Sequence, residues 1–245
     1  MTVTENQAPS PSSPASGSQD KTEVRDYFNS TGFDRWRRIY GTTDDVNKVQ
    51  KNIRIGHQKT VDTVLAWFDG DDGSLADKFI CDAGCGVGSL SIPLLERGAR
   101  VYASDIAQKM VEEAEVRAKA ALGNLDKATF EAKDLEAIAG NFDIVVCLDV
   151  LIHYPDDEAA QMIRHLASLA GDRLLLSFAP NTPLLTALKR IGEFFPGPSK
   201  TTRAYQHRER GIVAVLKDCG FEVKRKALNK APFYFSLLLE AVRQV

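Results

Sequence analysis

The segment Lys78-Phe79-Ile80-Cys81-Asp82-Ala83-Gly84-Cys85-Gly86-Val87-Gly88-Ser89 begins as a strand and ends at the mouth of a helix. Its apolar run Phe79–Cys81 suits a buried strand, and the glycines let the backbone turn sharply and approach a ligand closely. A helix opening at Ser89 would then present free N–H groups. Dinucleotide enzymes use this geometry with the spacing G-x-G-x-x-G. Here the third glycine is absent from the required place. Counted from Gly84 and Gly86 that place is Ser89, and counted from Gly86 and Gly88 it is Ser91.

Acidic residues sharpen the distinction. Asp82 fits poorly beside a pyrophosphate but suits a ligand bearing an ammonium group, such as the methionine half of S-adenosylmethionine. Arg100–Ser104 reads as the next strand, and Asp105 at its end can accept both ribose hydroxyls of an adenosine. Asp134 follows the strand Ala128–Ala132, where it can accept the adenine amino group. One such aspartate alone is as readily a helix cap. Three at successive strand ends behind G-x-G-x-G point to S-adenosylmethionine and away from NAD(P). The candidate cofactor set is Asp82, Gly84, Cys85, Gly86, Gly88, Asp105, Ile106, Asp134, Leu135 and Leu148.

Outward from this loop, β-rich runs at 78–82, 100–104, 128–132, 142–148 and 173–178 alternate with helical segments at 90–97, 108–122 and 157–169. Alternation implies parallel pairing through right-handed crossovers. After a helix near 210–219, the runs 221–228 and 233–242 follow one another closely, which suits an antiparallel hairpin at the sheet edge. The expectation is an α/β fold: a seven-stranded, mostly parallel sheet with helices on both faces. Residues 21–67 are predicted as an N-terminal helical arm broken at Asn29–Gly32, and 180–210 as an insertion covering the acceptor. Residues 1–20, rich in Ser and Pro, read as a disordered tail before a methyltransferase domain spanning 21–245.

The 245 residues are enough for one large domain with its own core. Lys and Arg number 31 against 33 Asp and Glu, a balance with no general pull toward nucleic acid. Four cysteines (Cys81, Cys85, Cys147, Cys219) lack metal or disulfide spacing, so a reducing cytoplasm and no protein metal site are expected. No apolar run approaches the roughly 20 residues that cross a bilayer, and the first twenty residues lack the basic start of a signal peptide.

Ligands in such sheets lie beyond the carboxyl ends of the strands. The fourth strand therefore delivers Asp149-Val150-Leu151-Ile152-His153-Tyr154-Pro155 to the active face, with His153 near the methyl group. His57 and His165 fall on predicted helices and read as surface positions; His207 falls in a loop open to substrate. The insertion joins an apolar stretch (Leu184, Leu185, Leu188, Ile191, Phe194, Phe195) to Lys200, Arg203 and Tyr205, suiting a large, flat, apolar acceptor that carries carboxylates. The arm offers a second wall with Arg35, Trp36, Arg37, Arg38 and Tyr40, which would equally make a solvated helix face.

Four stretches resemble the magnesium-protoporphyrin O-methyltransferases of chlorophyll biosynthesis: Arg25-Asp26-Tyr27-Phe28-Asn29-Ser30-Thr31-Gly32-Phe33-Asp34-Arg35-Trp36, the loop 82–88, the segment 149–155, and 195–206. The resemblance runs from about Arg25 to the end, and its first and last stretches are the specific ones. It implies the Rossmann-like class I methyltransferase fold and methylation of one propionate of Mg-protoporphyrin IX, with magnesium carried only by that substrate. It also implies hand-over of the porphyrin from magnesium chelatase and at most peripheral contact with photosynthetic membranes. In that chemistry His153 and Tyr40 would orient the propionate, with His153 also open to a role as base. Arg38, Lys200, Arg203 and Tyr205 would contact substrate, Lys200 and Arg203 by pairing the second propionate. Methyl transfer to a quinone or an amine, and a non-catalytic porphyrin carrier, stay open as alternatives.

Overall fold

A computed structural model describes residues 16–41, 45–71, 74–181 and 205–244. Most of the tail, and 182–204 of the insertion with Lys200 and Arg203, lie outside the described residues. Helices α1 (Ser16–Asn29), α2 (Thr31–Ile39) and α3 (Lys48–Asp69) precede the sheet. Then come β1 (Phe79–Ala83), α4 (Ser91–Glu96), β2 (Arg100–Asp105), α5 (Gln108–Leu122), β3 (Ala128–Ala132) and β4 (Phe142–Cys147). The chain closes with α6 (Asp156–Leu169), β5 (Ala170–Phe178), α7 (Glu209–Asp218), β6 (Phe221–Ala231) and β7 (Tyr234–Arg243).

The seven strands lie in the order β3-β2-β1-β4-β5-β7-β6. Strands β1 to β5 pair in parallel, whereas β7 runs antiparallel between β5 and β6. Both faces of the central strands are apolar, as a sheet covered on two sides requires. In β4, Val145 and Cys147 face one core with Met162, Ile163 and Leu166 of α6 and Ile212 and Leu216 of α7. Ile144 and Val146 face the other, with Val61, Val64 and Phe68 of α3, Leu94 of α4 and Ala114 of α5.

Of the differences from the sequence reading, three bear on the site. Helix α1 starts at Ser16, ahead of Lys21. The 86–90 stretch turns before α4, so that helix opens at Ser91 and not Ser89. Helix α3 is part of the sheet's cover and not of the arm, because its apolar stripe at 61, 64, 65 and 68 is buried on the strands. It starts at a capping box in which Asn47 and Gln50 exchange side-chain and backbone hydrogen bonds. The arm proper is α1 and α2, whose Phe28, Phe33, Trp36 and Tyr40 pack on Val87 of the glycine loop and on Ala107 and Met110.

Gly56 lets α3 lie close to β7. A Cβ there would stand 2.2 Å from the Tyr234 ring. Replacing a helical glycine by alanine ordinarily gains about 1 kcal/mol, but forcing a methyl into a filled space costs about 1–3 kcal/mol. At 2.2 Å from a buried ring the overlap wins. Gly56→Ala is therefore expected to lower the melting temperature, and a calorimetric scan showing a rise would refute this account of the contact.

Candidate active site

Strand order reverses between β1 and β4, and a ligand crevice opens at such a switch point. The loops that follow these two strands meet there. Gly84 adopts φ +86°, and a Cβ on it would lie 2.1 Å from Cγ2 of Val150. Only glycine meets both demands. The loop is tied to β2 by the Gly84 and Cys85 amides, each donating to the Ser104 carbonyl at 2.8 Å. Gly86, at φ +54°, has nothing within 4 Å of where a Cβ would stand, so the loop presents bare backbone to open space.

Two carboxylates frame that space differently. Asp105 accepts the Gly86 amide at 3.0 Å on one oxygen and the Ala107 amide at 2.9 Å on the other. Each oxygen keeps a second acceptor position, which fits a ribose diol. Asp82 lies deeper. It is 2% exposed beneath the loop, where its Oδ2 accepts the Ser91 hydroxyl at 2.5 Å. Its charge reaches a ligand only through the loop above it. Burial pushes both carboxyls up to about 6, against the hydrogen bonds from Ser91 and from the backbone amides.

Ile106 and Asp134 line a cavity of about 650 Å³ with Lys21 and Arg25 of α1, Lys133 and Glu136. Asp134, the predicted adenine acceptor, faces Lys21 at 3.8 Å, and Lys21 also bonds Glu136. Helix α1 thus forms one wall of this cavity. Leu135 and Leu148 are buried beside the strand ends. The open face of Gly86, the spare acceptor positions of Asp105 and this cavity together fit adenosine. A larger cavity of about 770 Å³, lined by Asp71, Arg173, Arg225 and Glu240, adjoins the N-terminal end of β5 and is filled with paired charges.

On the acceptor side, His153 ends a short 3-10 turn after β4. Its Nδ1 is buried without a hydrogen-bond partner, and its ring meets Phe28 edge-on at 5.5 Å. Burial lowers its pKa to about 4, with Asp149 opposing. Tyr40 is held well above the ordinary phenol range by burial, then by Asp149 and Asp105. A run of ring contacts joins them: Tyr40 to Trp36 at 5.3 Å, Trp36 to Phe28 at 6.1 Å, and Phe28 to His153.

Other expectations change. Arg38 is not brought to this cluster: its side chain is 47% exposed, with Nε donating to the Asp34 carbonyl and Nη1 facing Asp45. It sits on the solvent side of α2 because the apolar side packs on α5. His207 is buried and not open to substrate; it spans the Asp156 carboxylate at 2.6 Å and the Leu151 carbonyl at 2.8 Å. Tyr205 donates its amide to the Ile152 carbonyl at 2.7 Å, so the described end of the insertion is stitched to the His153 segment. His165 bonds the Ile138 carbonyl at 2.9 Å. His57 is no surface position: its side chain is 12% exposed and bonded to Asp149. Asp149 carries no role in the sequence reading, although a polar residue with forced geometry just after an apolar strand is the signal that marks it.

The family model described as Magnesium-protoporphyrin IX methyltransferase C-terminus matches residues 147–243, and one described as Methyltransferase domain matches 80–171. The magnesium-protoporphyrin O-methyltransferase of Synechocystis is 61% identical over 224 residues, covering 91% of this chain and 96% of that one. The chain belongs to the magnesium-protoporphyrin O-methyltransferase family. The chloroplastic magnesium protoporphyrin IX methyltransferase of Arabidopsis thaliana is 56% identical, over 92% of this chain and 72% of its own. A crystal structure of the Synechocystis enzyme with bound S-adenosylhomocysteine superposes with a TM-score of 0.85 at 58% identity, covering 91% of this chain and all of that one. The family bears out the seven-stranded methyltransferase fold and its methyl donor. Among the described residues no helix is long and apolar enough to cross a membrane.

The carboxylates are expected to set the pH range of donor binding. Asp82 and Asp105 are ionised above about pH 6 and protonated below it, and only the ionised forms attract an ammonium or accept from a diol without giving up an oxygen. S-adenosylmethionine affinity, measured by calorimetry, is expected to hold above pH 7. It should weaken as pH falls through 6, by up to about tenfold per unit for each carboxylate. Constant affinity from pH 8 to 5 would remove the acids from the binding account.

Proposed function

We propose that this chain transfers the sulfonium methyl of S-adenosylmethionine to a propionate carboxylate of Mg-protoporphyrin IX, yielding the monomethyl ester and S-adenosylhomocysteine. The observation that carries the reading is the 61% identity to the Synechocystis enzyme over nearly its whole length, acceptor side included. When bound, S-adenosylmethionine supplies an electrophilic methyl on positive sulfur. A propionate is already ionised near pH 7, since reference carboxyls titrate around 4. The protein therefore has no proton to remove; it aligns the reacting atoms and sheds water from the nucleophile.

Tyr40 and His153 suit that task as neutral groups. With its pKa lowered to about 4, His153 is uncharged at pH 7 and a poor base. Its unpartnered, buried Nδ1 supports a role as hydrogen-bond donor to the propionate. Tyr40, raised by burial, stays a protonated phenol able to donate as well. Lys200 and Arg203 pair the second propionate in this reading, with Tyr205 on the same wall. Delivery by the porphyrin-binding subunit of magnesium chelatase and peripheral contact with photosynthetic membranes belong to it too. Phe233, 70% exposed in the β6–β7 turn, supports contact of this rim with an apolar surface.

Incubation with Mg-protoporphyrin IX and S-adenosylmethionine should add one methyl by mass analysis; binding of both with no added methyl would leave a porphyrin carrier. His153→Ala should keep S-adenosylmethionine affinity and lose turnover by about tenfold or more, the worth of a buried hydrogen bond. Unchanged turnover would withdraw the assignment. The wild-type kcat should show no limb near pH 6.5, because His153 does not titrate there.

A further inference from the structure

Asp149 is held unusually firmly for a residue just past a strand. Its backbone lies in the left-handed region at φ +58°, which side chains other than glycine adopt rarely. The Ser177 hydroxyl accepts its amide at 2.8 Å and donates to its Oδ1 at 2.8 Å. Ser236 donates to Oδ1 at 3.1 Å, and the Tyr234 hydroxyl donates to Oδ2 at 2.8 Å. Tyr234 is itself within 3.0 Å of the Thr60 hydroxyl. Three elements, β5, β7 and α3, thus converge on one carboxylate. Backbone strain of this kind persists where surrounding contacts over-determine it, and it gathers at functional sites.

The remaining partner is His57, whose Nδ1 lies 2.9 Å from Oδ2. A carboxylate only accepts, so Nδ1 carries the proton and the ring orientation is fixed. On that ring lies Tyr40, with centroids 4.4 Å apart and planes at 40°. We propose that Asp149 and His57 are positioning residues for methyl transfer: Asp149 fixes the His57 imidazole, and its face sets the ring of Tyr40 against the acceptor. The assignment rests on the reading of Tyr40 as a group that orients the propionate. It explains why α3, a helix outside the cofactor crevice, sends a buried histidine toward the site, and why Gly56 beside it brings Tyr234 within reach.

Two substitutions separate the links. His57→Asn keeps an amide able to reach Asp149 but offers Tyr40 no ring; His57→Phe keeps the ring but loses the hydrogen bond. In the full chain, with Mg-protoporphyrin IX and S-adenosylmethionine, both are expected to lower kcat roughly ten- to a hundredfold, the scale of a small misplacement. The S-adenosylmethionine dissociation constant and the melting temperature should stay near wild type. Combined with Tyr40→Phe, neither should slow the enzyme further than Tyr40→Phe does alone, because the hydroxyl they place is already gone. Wild-type kcat in both variants, losses that multiply in the double variants, or a parallel fall in cofactor affinity and melting temperature would overturn the inference. The underlying reading fails separately: Tyr40→Phe at full rate refutes it, whereas slow Tyr40→Phe beside fast His57 variants refutes only the positioning role.

Discussion

Everything in the site depends on two loops touching at the switch point of the sheet. The loop after β1 must come close enough to Val150 that a single methyl on Gly84 would overlap it. That contact brings the loop after β1 against the segment 149–155 and leaves Gly86 facing open space. The arm then closes the arrangement from above, since Phe28, Phe33, Trp36 and Tyr40 pack on Val87 and Met110 and not on the main cores. Donor and acceptor machinery are thereby one packed unit, although they come from opposite halves of the parallel sheet.

Within this unit, three buried aspartates meet different fates because their donors differ. Asp82 has one hydroxyl partner, and Asp105 receives backbone amides; in both, burial outweighs the hydrogen bonds and the pKa rises to about 6. Asp149 is 12% exposed and largely enclosed, but His57, Tyr234 and Ser177 donate to it. Together they overcome burial and hold it below the ordinary carboxylate value. Burial alone therefore does not make a carboxyl a proton carrier; the kind of donor decides, with side-chain donors led by His57 on Asp149 and backbone amides on Asp105. Asp149 is a fixed anchor, while Asp82 and Asp105 are responsive to pH near the lower end of the working range.

Much of this architecture was legible in the sequence because it is local. Period-two and period-3.6 patterns place helix α5 at Gln108–Leu122 and β3 at Ala128–Ala132 without error, and the glycine loop with Asp105 follows from residue chemistry. What was illegible is long-range. His57 lies 92 residues from Asp149 in the chain, and nothing near it says that its helix covers the sheet with a histidine turned inward. The glycine beside it, Gly56 in mid-helix, was the available sign of a close approach. The depth of Asp82 was equally illegible: β1 carries it down into the core, where Ser91 meets it. Arg38 reads as a wall from sequence, and helix phase alone turns it to solvent.

Charge explains why the acceptor side carries a neutral histidine and a neutral tyrosine. As a carboxylate attacks a sulfonium methyl, a negative and a positive centre cancel, so the transition state holds less charge than the reactants. An interaction stronger in the ground state than in the transition state slows the step. A cation bonded to the attacking oxygen would be such an interaction, since it grips the full anion and then loses it. Neutral donors lose less, because they have no charge–charge attraction to give up as the carboxylate is neutralised, and they still fix direction. In the proposed reading, burial that lowers His153 and raises Tyr40 gives two such donors, and Asp149 keeps its charge one residue layer away, engaged by its own partners. Cations belong where charge does not change during the step, at the spectator propionate, which is the place the proposed reading gives to Lys200 and Arg203.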